Sequence, residues 1–288
     1  MKTSIVIPNW NGKELLEKNL PAMMAVNPDE TIIVDNASVD GSIEFLEEKY
    51  PEIILIKNSV NLGFALGCNQ GVKKAKNELV VLLNNDVVPE NDAISNAVGL
   101  FKDHKLFAVS FHEPQWSWAR IFWKNGYIEH EPGIGKSKTH ISAWASGGSG
   151  IFRKLIWEEL GGFDDLYAPF YWEDIDLSYR SWKRGYKVLW EPKAIVHHKH
   201  EGTIGKHFSK DYVSYISERN RLFFIWKNVS DTLLFSDHKK QLLFKLLTKP
   251  GYWKPFLSAL KKLPVILKKR QEEKQNIRIT DNEIFEQF

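Results

Sequence analysis

The sequence predicts an α/β protein built on a mostly parallel sheet with helices on both faces. Two observations carry this: apolar, β-branched runs alternate with segments of helical period, and each run stops at Asn, Asp, Gly or Pro. The first run, "SIVIPNW", is broken at Pro8, and "KELLEKNLPAMM" follows with Leu15, Leu16, Leu20 and Met23 at helical spacing. "ETIIVDNAS" is a second buried-type strand. Ser42 to Tyr50 repeats the helical period, "EIILIKN" is a third strand, and "GFALGCNQGVKKAK" reads as a helix entered through Gly63. "ELVVLLNND" is the fourth strand, ending at Asn84, Asn85 and Asp86.

In open sheets of this kind, ligands bind beyond the carboxyl ends of the strands. That places Pro8, Asn9 and Asn11, then Asp35 and Asn36, then Asn58 to Asn61, then Asn84 to Asp86, along one rim. Any one cluster reads as turn chemistry, because Asn, Asp and Gly favour loops. Four together point to a polar ligand. No G-x-G-x-x-G follows the first strand, and "GIGKS" at 133–137 lacks the upstream glycine of a phosphate loop because His130 stands there. Dinucleotide and P-loop readings are therefore weak.

A chain of 288 residues, 43% hydrophobic and 13% aromatic, has enough apolar surface for a substantial core. The single cysteine, Cys68, excludes an internal disulfide framework and a cysteine zinc cluster. It reads as a packed small residue in a reducing cytoplasm. The apolar segment before Pro8 is too short for a signal peptide, and no apolar run reaches the roughly 18 residues of a membrane span. The expectation is a cytoplasmic protein, soluble or peripheral on the inner face of the cell membrane. The net charge of +3 hides an asymmetry: His238 to Lys274 carries eleven Lys/Arg against two Glu, so that segment is +9 and the remainder −6.

Six stretches resemble family 2 glycosyltransferases in order and spacing, most closely the bacterial rhamnosyltransferase-type branch. They are "SIVIPNWNG", "IIVDNASVDGS", "NLGFALGCNQG", "LLNNDV", "GGFDDLYAPFYWEDIDLSYRSWKRGY" and "AIVHHKHEGT". The match covers roughly Thr3 to Asn228. It implies a GT-A domain over residues 1–228, with a nucleotide-sugar-binding half to residue 110 and an acceptor-binding half over 111–228. It also implies a nucleotide-diphosphate sugar donor, dTDP-rhamnose or a UDP-sugar, a divalent Mg²⁺ or Mn²⁺, and inversion at the anomeric carbon.

By this resemblance Asp86 is the carboxylate that binds the metal, because the departing diphosphate builds up negative charge that a hard ion with oxygen ligands neutralises. Asn84 stands where many relatives have Asp, so it can bond a hydroxyl but brings no charge to the ion. Pro8, Asn9 and Asn11 are implied at the base and ribose, and Asp35 at the imide N–H of the base. Asp40 is implied nearby, and Asn85 on the same rim. Asn61 and Gly63 precede a helix whose N-terminal amides would help hold the donor. The family's Glu-Asp pair falls on Glu173 and Asp174: Asp174 is the expected general base and Glu173 orients the acceptor or a neighbouring side chain. Asp176 reads as a structural acid near a helix N-terminus. Trp172 could stack on a sugar, with Leu177, Trp182 and Tyr186 as core positions of the helix. Gly148, in "GGSGIFRK", is a candidate close-approach contact. His198, with Thr203 following, is the expected nitrogen ligand of the metal, and His197 and His200 are the fallbacks. Lys206 and His207 lie within reach of the diphosphate, and the aromatic-rich stretch from Phe111 to His140 is assigned to the acceptor.

Beyond residue 228 the chain becomes a basic, Leu- and aromatic-rich extension over 229–288, ending in what reads as a tail. Its composition suits short amphipathic helices on an anionic membrane surface, or ordinary helices with a basic outer face. No nucleic-acid-binding motif accompanies the charge. The acceptor is expected to be a glycan or lipid-linked saccharide. A sugar-nucleotide pyrophosphorylase lacks support, since "IPNWNGKE" is not a glycine-rich activation loop. A catalytically silent glycan-binding relative would have lost Asp174, Asp86 or His198, all present here.

Overall fold

The computed structural model describes residues 1–135, 137–198 and 208–288. In its first part, β1 (Thr3–Asn9), α1 (Lys13–Ala25), β2 (Glu30–Asp35), α2 (Ser42–Lys49), β3 (Ile54–Lys57), α3 (Gly63–Lys74) and β4 (Leu79–Leu83) alternate as expected. The strands pair in parallel in the order β3-β2-β1-β4. From β1 the chain steps outward to β2 and β3, then returns to β4 on the other side of β1. Strand order therefore reverses between β1 and β4, and the ligand crevice of an open sheet forms at such a point.

Strand alternation explains the two layers. Ile5, Ile7, Ile33, Val81 and Leu83 face Leu16, Leu20 and Met23 of α1 and Leu46 of α2. Val6, Ile32, Val34, Val80 and Leu82 face Cys68 and Val72 of α3. Cys68 is a buried core residue whose thiol is pushed well up by burial.

The second part extends the sheet with mixed strands. These are β5 (Val87–Pro89), α4 (Ala93–Val98), β6 (Leu106–His112), β7 (Ala119–Lys124), β8 (Tyr127–Pro132), β9 (His140–Ile141), β10 (Ser149–Arg153), α5 (Lys154–Leu160), α6 (Glu173–Lys183) and β11 (Lys187–His198). The sheet runs β3-β2-β1-β4-β10-β6-β11-β5, with β9 on β11 and with β7 and β8 as a separate hairpin. β10 is antiparallel to β4 and β6, whereas β6 and β11 are parallel. Leu177 and Trp182 are buried as expected, but Tyr186 lies beyond the end of α6 and is only partly buried.

The C-terminal helices are α7 (Lys210–Asn228), α8 (Thr232–Thr248), α9 (Trp253–Leu260), α10 (Leu263–Lys274) and α11 (Asp281–Phe285). They share the core of α3 and α6 through Leu222, Phe224, Leu242, Leu246, Ala259, Ile266 and Ile284. The end that reads as a tail is docked, which corrects that expectation. Asp281 is fully buried, 2.6 Å from Lys183 Nζ, and accepts from Ser230 N–H at 2.8 Å. Composition cannot show this, because one buried carboxylate with a matched cation anchors an otherwise polar segment.

Candidate active site

Backbone register assembles the rim. Asn9 sits beside Asp35, and Asp35 beside Lys57, so three parallel strands end level. At the β1/β4 switch Asn85 Nδ2 donates to Asn9 Oδ1 at 2.9 Å, while Asn19 donates to the Asn85 carbonyl at 2.9 Å. A Cβ on Gly12 would lie 2.2 Å from Asn85 Nδ2, so glycine is needed there. Asn85 thus ties the two strand ends together.

Several residues implied at the donor also bond within the protein. Asp35 is fully buried; it accepts from Asn9 Nδ2 at 2.9 Å and from Ser38 N–H at 2.8 Å. Asp40 accepts from the N–H groups of Lys13 and Ser42, joining the starts of α1 and α2. Asn61 Oδ1 accepts from Gly63 N–H at 2.8 Å and so shapes the entry to α3, and Gly63 has φ +80°. Asn36 and Asn58 are bonded to each other at 2.9 Å. Pro8 is partly buried, while Asn11 is exposed and accepts from Val39 N–H at 2.8 Å. Much of the polar clustering that reads as a ligand rim is thus a network that holds the rim's shape. Ser38, absent from the sequence reading, organises it by also accepting from Asn11 N–H at 2.8 Å.

The end of β4 leads to the chemistry. Asn84 N–H donates to the Gly148 carbonyl at 2.8 Å, and a Cβ on Gly148 would lie 2.4 Å from Asn84 Nδ2. The next residue back, Gly147, donates its N–H to Asp174 Oδ2 at 3.4 Å. Two hydrogen bonds and one peptide unit therefore connect the Asn84–Asp86 turn to the carboxylate at the start of α6. Two residues on from Asn84, Asp86 Oδ1 lies 3.2 Å from His198 Nε2. His197 faces the other way, 3.1 Å from Glu90, as adjacent strand residues must. His200, Thr203, Lys206 and His207 lie outside the described residues.

Asp86 and His198 fit a divalent cation. Adjacent ligands on an octahedral ion with bonds of about 2.1 Å stand about 3 Å apart, close to their separation. Among the described residues no cluster of three or more His, Cys, Asp or Glu could hold an ion, so a bound ion would need further ligands from substrate or water. Burial pulls the His198 pKa down, but hydrogen bonds to Asp86 and Glu113 outweigh it and raise it to about 9. Glu113, also missed in the sequence, pairs with His198 Nδ1 at 3.2 Å and accepts from Ser149 Oγ at 2.8 Å.

Glu173 and Asp174 are delivered by strained backbone. Tyr171 and Trp172 both have left-handed φ, +71° and +81°, which costs non-glycine residues roughly 1–2 kcal/mol each. Asn220, fully buried on α7, offsets this with bonds from Nδ2 to the carbonyls of Tyr167, Phe170 and Tyr171 at 2.7, 3.0 and 2.9 Å. Asp174 is partly exposed, and burial raises its pKa against the backbone N–H groups of Ile175 and Gly147. Glu173 is buried, its Oε2 has no hydrogen-bond partner among the described residues, and burial followed by repulsion from Asp174 pushes its pKa up to about 8. A neutral Glu173 leaves the negative charge of the pair on Asp174.

Trp172 is buried against Phe224, with ring centroids 5.3 Å apart, and presents no face to a sugar; this corrects the stacking expectation. Asp176 is structural, as expected: fully buried, it pairs with Arg180 at 2.8 Å and Lys227 at 2.9 Å and accepts from Tyr167 Oη at 2.7 Å.

The mostly parallel sheet with its strand-end rim at a switch point and its C-terminal helices is a GT-A fold. The chain belongs to glycosyl transferase family 2, whose model matches residues 4–160. It is 26% identical over 226 residues to the O-antigen chain rhamnosyltransferase RfbN of Salmonella typhimurium, covering 73% of this chain and 70% of that one. It is 29% identical over 197 residues to the poly-beta-1,6-N-acetyl-D-glucosamine synthase of Staphylococcus aureus, covering 65% of this chain and spanning 47% of the synthase. Among solved structures, GalNAc-T7 with UDP, GalNAc and Mn²⁺ has a TM-score of 0.62 at 16% identity, over 84% of this chain and 54% of that one. Staphylococcus aureus TarS with UDP-GlcNAc has a TM-score of 0.60 at 14% identity, over 96% and 89%.

Proposed function

We propose that the chain moves a sugar, with inversion, from a nucleotide-diphosphate sugar, dTDP-rhamnose or a UDP-sugar, to a hydroxyl of a glycan or lipid-linked saccharide. The observation that supports this most is the linkage of the Asp86–His198 pair to Asp174 through Asn84, Gly148 and Gly147. Asp174 accepts the proton of the acceptor hydroxyl as that oxygen attacks the anomeric carbon and the bond to the diphosphate breaks. Neutral Glu173 keeps a second charge away from the base. Gly147 and Ile175 hold the Asp174 oxygens with their N–H groups. Asn9, Asn11, Asp35 and Ser38 shape the end that receives base and ribose. Asp86 and His198 would hold Mg²⁺ or Mn²⁺, which when bound supplies charge neutralisation for the leaving diphosphate.

The same reading sets the chain on the inner face of an anionic membrane. No helix among the described residues is long and apolar enough to cross one. The support lies in α8 and α9, whose outward faces carry exposed Leu243, Phe244, Leu247, Trp253, Leu257 and Leu260 among exposed Lys240, Lys254 and Lys261. This chain is similar to an O-antigen chain rhamnosyltransferase and a poly-beta-1,6-N-acetyl-D-glucosamine synthase, and the reading extends their named saccharide chemistry to it.

The central test is Asp174→Asn in a thermal-shift and transfer assay over a panel of nucleotide sugars with and without Mn²⁺. Transfer should fall by at least about 10²-fold with the donor-induced shift retained. Loss of donor binding with the substitution, or full activity, would sink the assignment.

A further inference from the structure

His198 presents both ring nitrogens to carboxylates, and only one of them can serve an ion. Three strand ends create this arrangement. β11 is paired to β5, with His198 opposite Val87, and to β6, with Ile195 opposite His112. Ser149 begins β10 opposite Leu83, the last residue of β4. Glu113, the residue after β6, therefore meets Ser149 and His198 together, with its side chain 13% exposed.

The two carboxylates differ in their anchoring. Glu113 Oε1 accepts from the fully buried Ser149 Oγ at 2.8 Å and lies 3.2 Å from His198 Nδ1. Asp86 lies on the turn that bonds Gly148 and leads toward Asp174. The Nε2 side thus belongs to the rim where a diphosphate would lie, and the Nδ1 side to the wall behind it.

We infer that Glu113 is a positioning residue: held by Ser149, it accepts the Nδ1 proton of His198, fixes that tautomer and ring orientation, and presents Nε2 with Asp86 to the divalent ion. The inference rests on the metal reading above. A carboxylate behind a ligating histidine also makes the imidazole a stronger donor to the ion. Nothing in the local sequence, "FHEPQW", marks Glu113 for this, because its partners come from two other strands.

The test measures Mn²⁺ binding by electron paramagnetic resonance in the presence of UDP, and again with dTDP, for wild type, Glu113→Gln, Glu113→Ala and Ser149→Ala. Glu113→Ala should weaken Mn²⁺ binding by about 10- to 100-fold. Glu113→Gln, whose amide oxygen still accepts from Nδ1–H, should recover most of that loss, and Ser149→Ala should fall between wild type and Glu113→Ala. Binding of either nucleotide without metal should not change. Nitrogen-15 NMR of His198 with Mg²⁺ should show the Nδ1–H tautomer in wild type and a mixture in Glu113→Ala. Unchanged Mn²⁺ binding in Glu113→Ala, or equal losses in the Gln and Ala variants, would overturn the role of Glu113. Absence of Mn²⁺ binding by the wild type with both nucleotides would overturn the metal reading itself. Should Glu113→Ala melt below assay temperature, the Gln and Ser149→Ala variants decide, since full Mn²⁺ affinity in Ser149→Ala contradicts the anchoring.

Discussion

His238 shows how a single residue both joins parts of the fold and sets its acid limit. It is buried on α8, where Nε2 accepts from Trp226 Nε1 at 2.9 Å and Nδ1 faces the Gly126 carbonyl at 2.8 Å. One neutral tautomer satisfies both bonds, whereas a proton on Nε2 would confront the indole N–H. Burial accordingly lowers its pKa to about 4. The unfolded chain, with an ordinary histidine near 6.5, binds more protons between these values, so stability is lost as pH falls through that window. The loss attributable to His238 should be about 3 kcal/mol between pH 7 and pH 4. Urea unfolding at both pH values, compared with His238→Asn, measures it; equal acid sensitivity in the two proteins would contradict it. At the same scale, Asp35 and Asp40 hold the rim through hydrogen bonds from Asn9, Ser38, Lys13 and Ser42.

Among the elements, α6 depends on α7. The left-handed pair Tyr171–Trp172 turns the chain so that α6 begins with Glu173 and Asp174 in the crevice, and Asn220 holds that turn through three carbonyls. Asn220→Ala leaves those carbonyls buried without donors, a loss of roughly 1–3 kcal/mol. The expected result is a lower melting temperature and a kcat reduced at least about tenfold, as small misplacements of catalytic groups typically give. Nucleotide affinity should be retained, since the residues implied at the base and ribose lie at the ends of β1 and β2. A kcat equal to wild type would show that the turn stands without Asn220. The sequence stretch "SERNRLFF" contains this residue but does not single it out, because its partners are backbone atoms some fifty positions earlier.

Across the whole molecule the notable surface is the outward side of the C-terminal helices. The inner face of α8 buries His238, Leu242 and Leu246, yet its outer face leaves Leu243, Phe244 and Leu247 at 59%, 64% and 74% exposure. A helix apolar on both sides is ordinarily covered on both, and the surrounding lysines suit an anionic lipid surface. Replacing Leu243, Phe244 and Leu247 by Gln should lower sedimentation with phosphatidylglycerol vesicles at least about tenfold. Leu155→Gln, at an exposed leucine on α5, is the control expected to change nothing. Unchanged vesicle binding by the triple variant would remove the membrane assignment.

By itself the sequence determined the alternating strands and helices up to β4, a helix beginning close before Asp176, and the rim on which Asn9, Asp35 and Asn84 to Asp86 gather. These are local matters: a period of 2 or 3.6 residues and a polar stop can be read within a dozen positions. Tertiary structure alone decided that Glu113 and Ser149 stand behind His198, and that Asn220 secures the turn before Glu173. It also decided that Trp172 is core and that Asp281 is an anchor. Each depends on which face of a strand or helix points inward and on which distant element arrives there, and pairing register sets both.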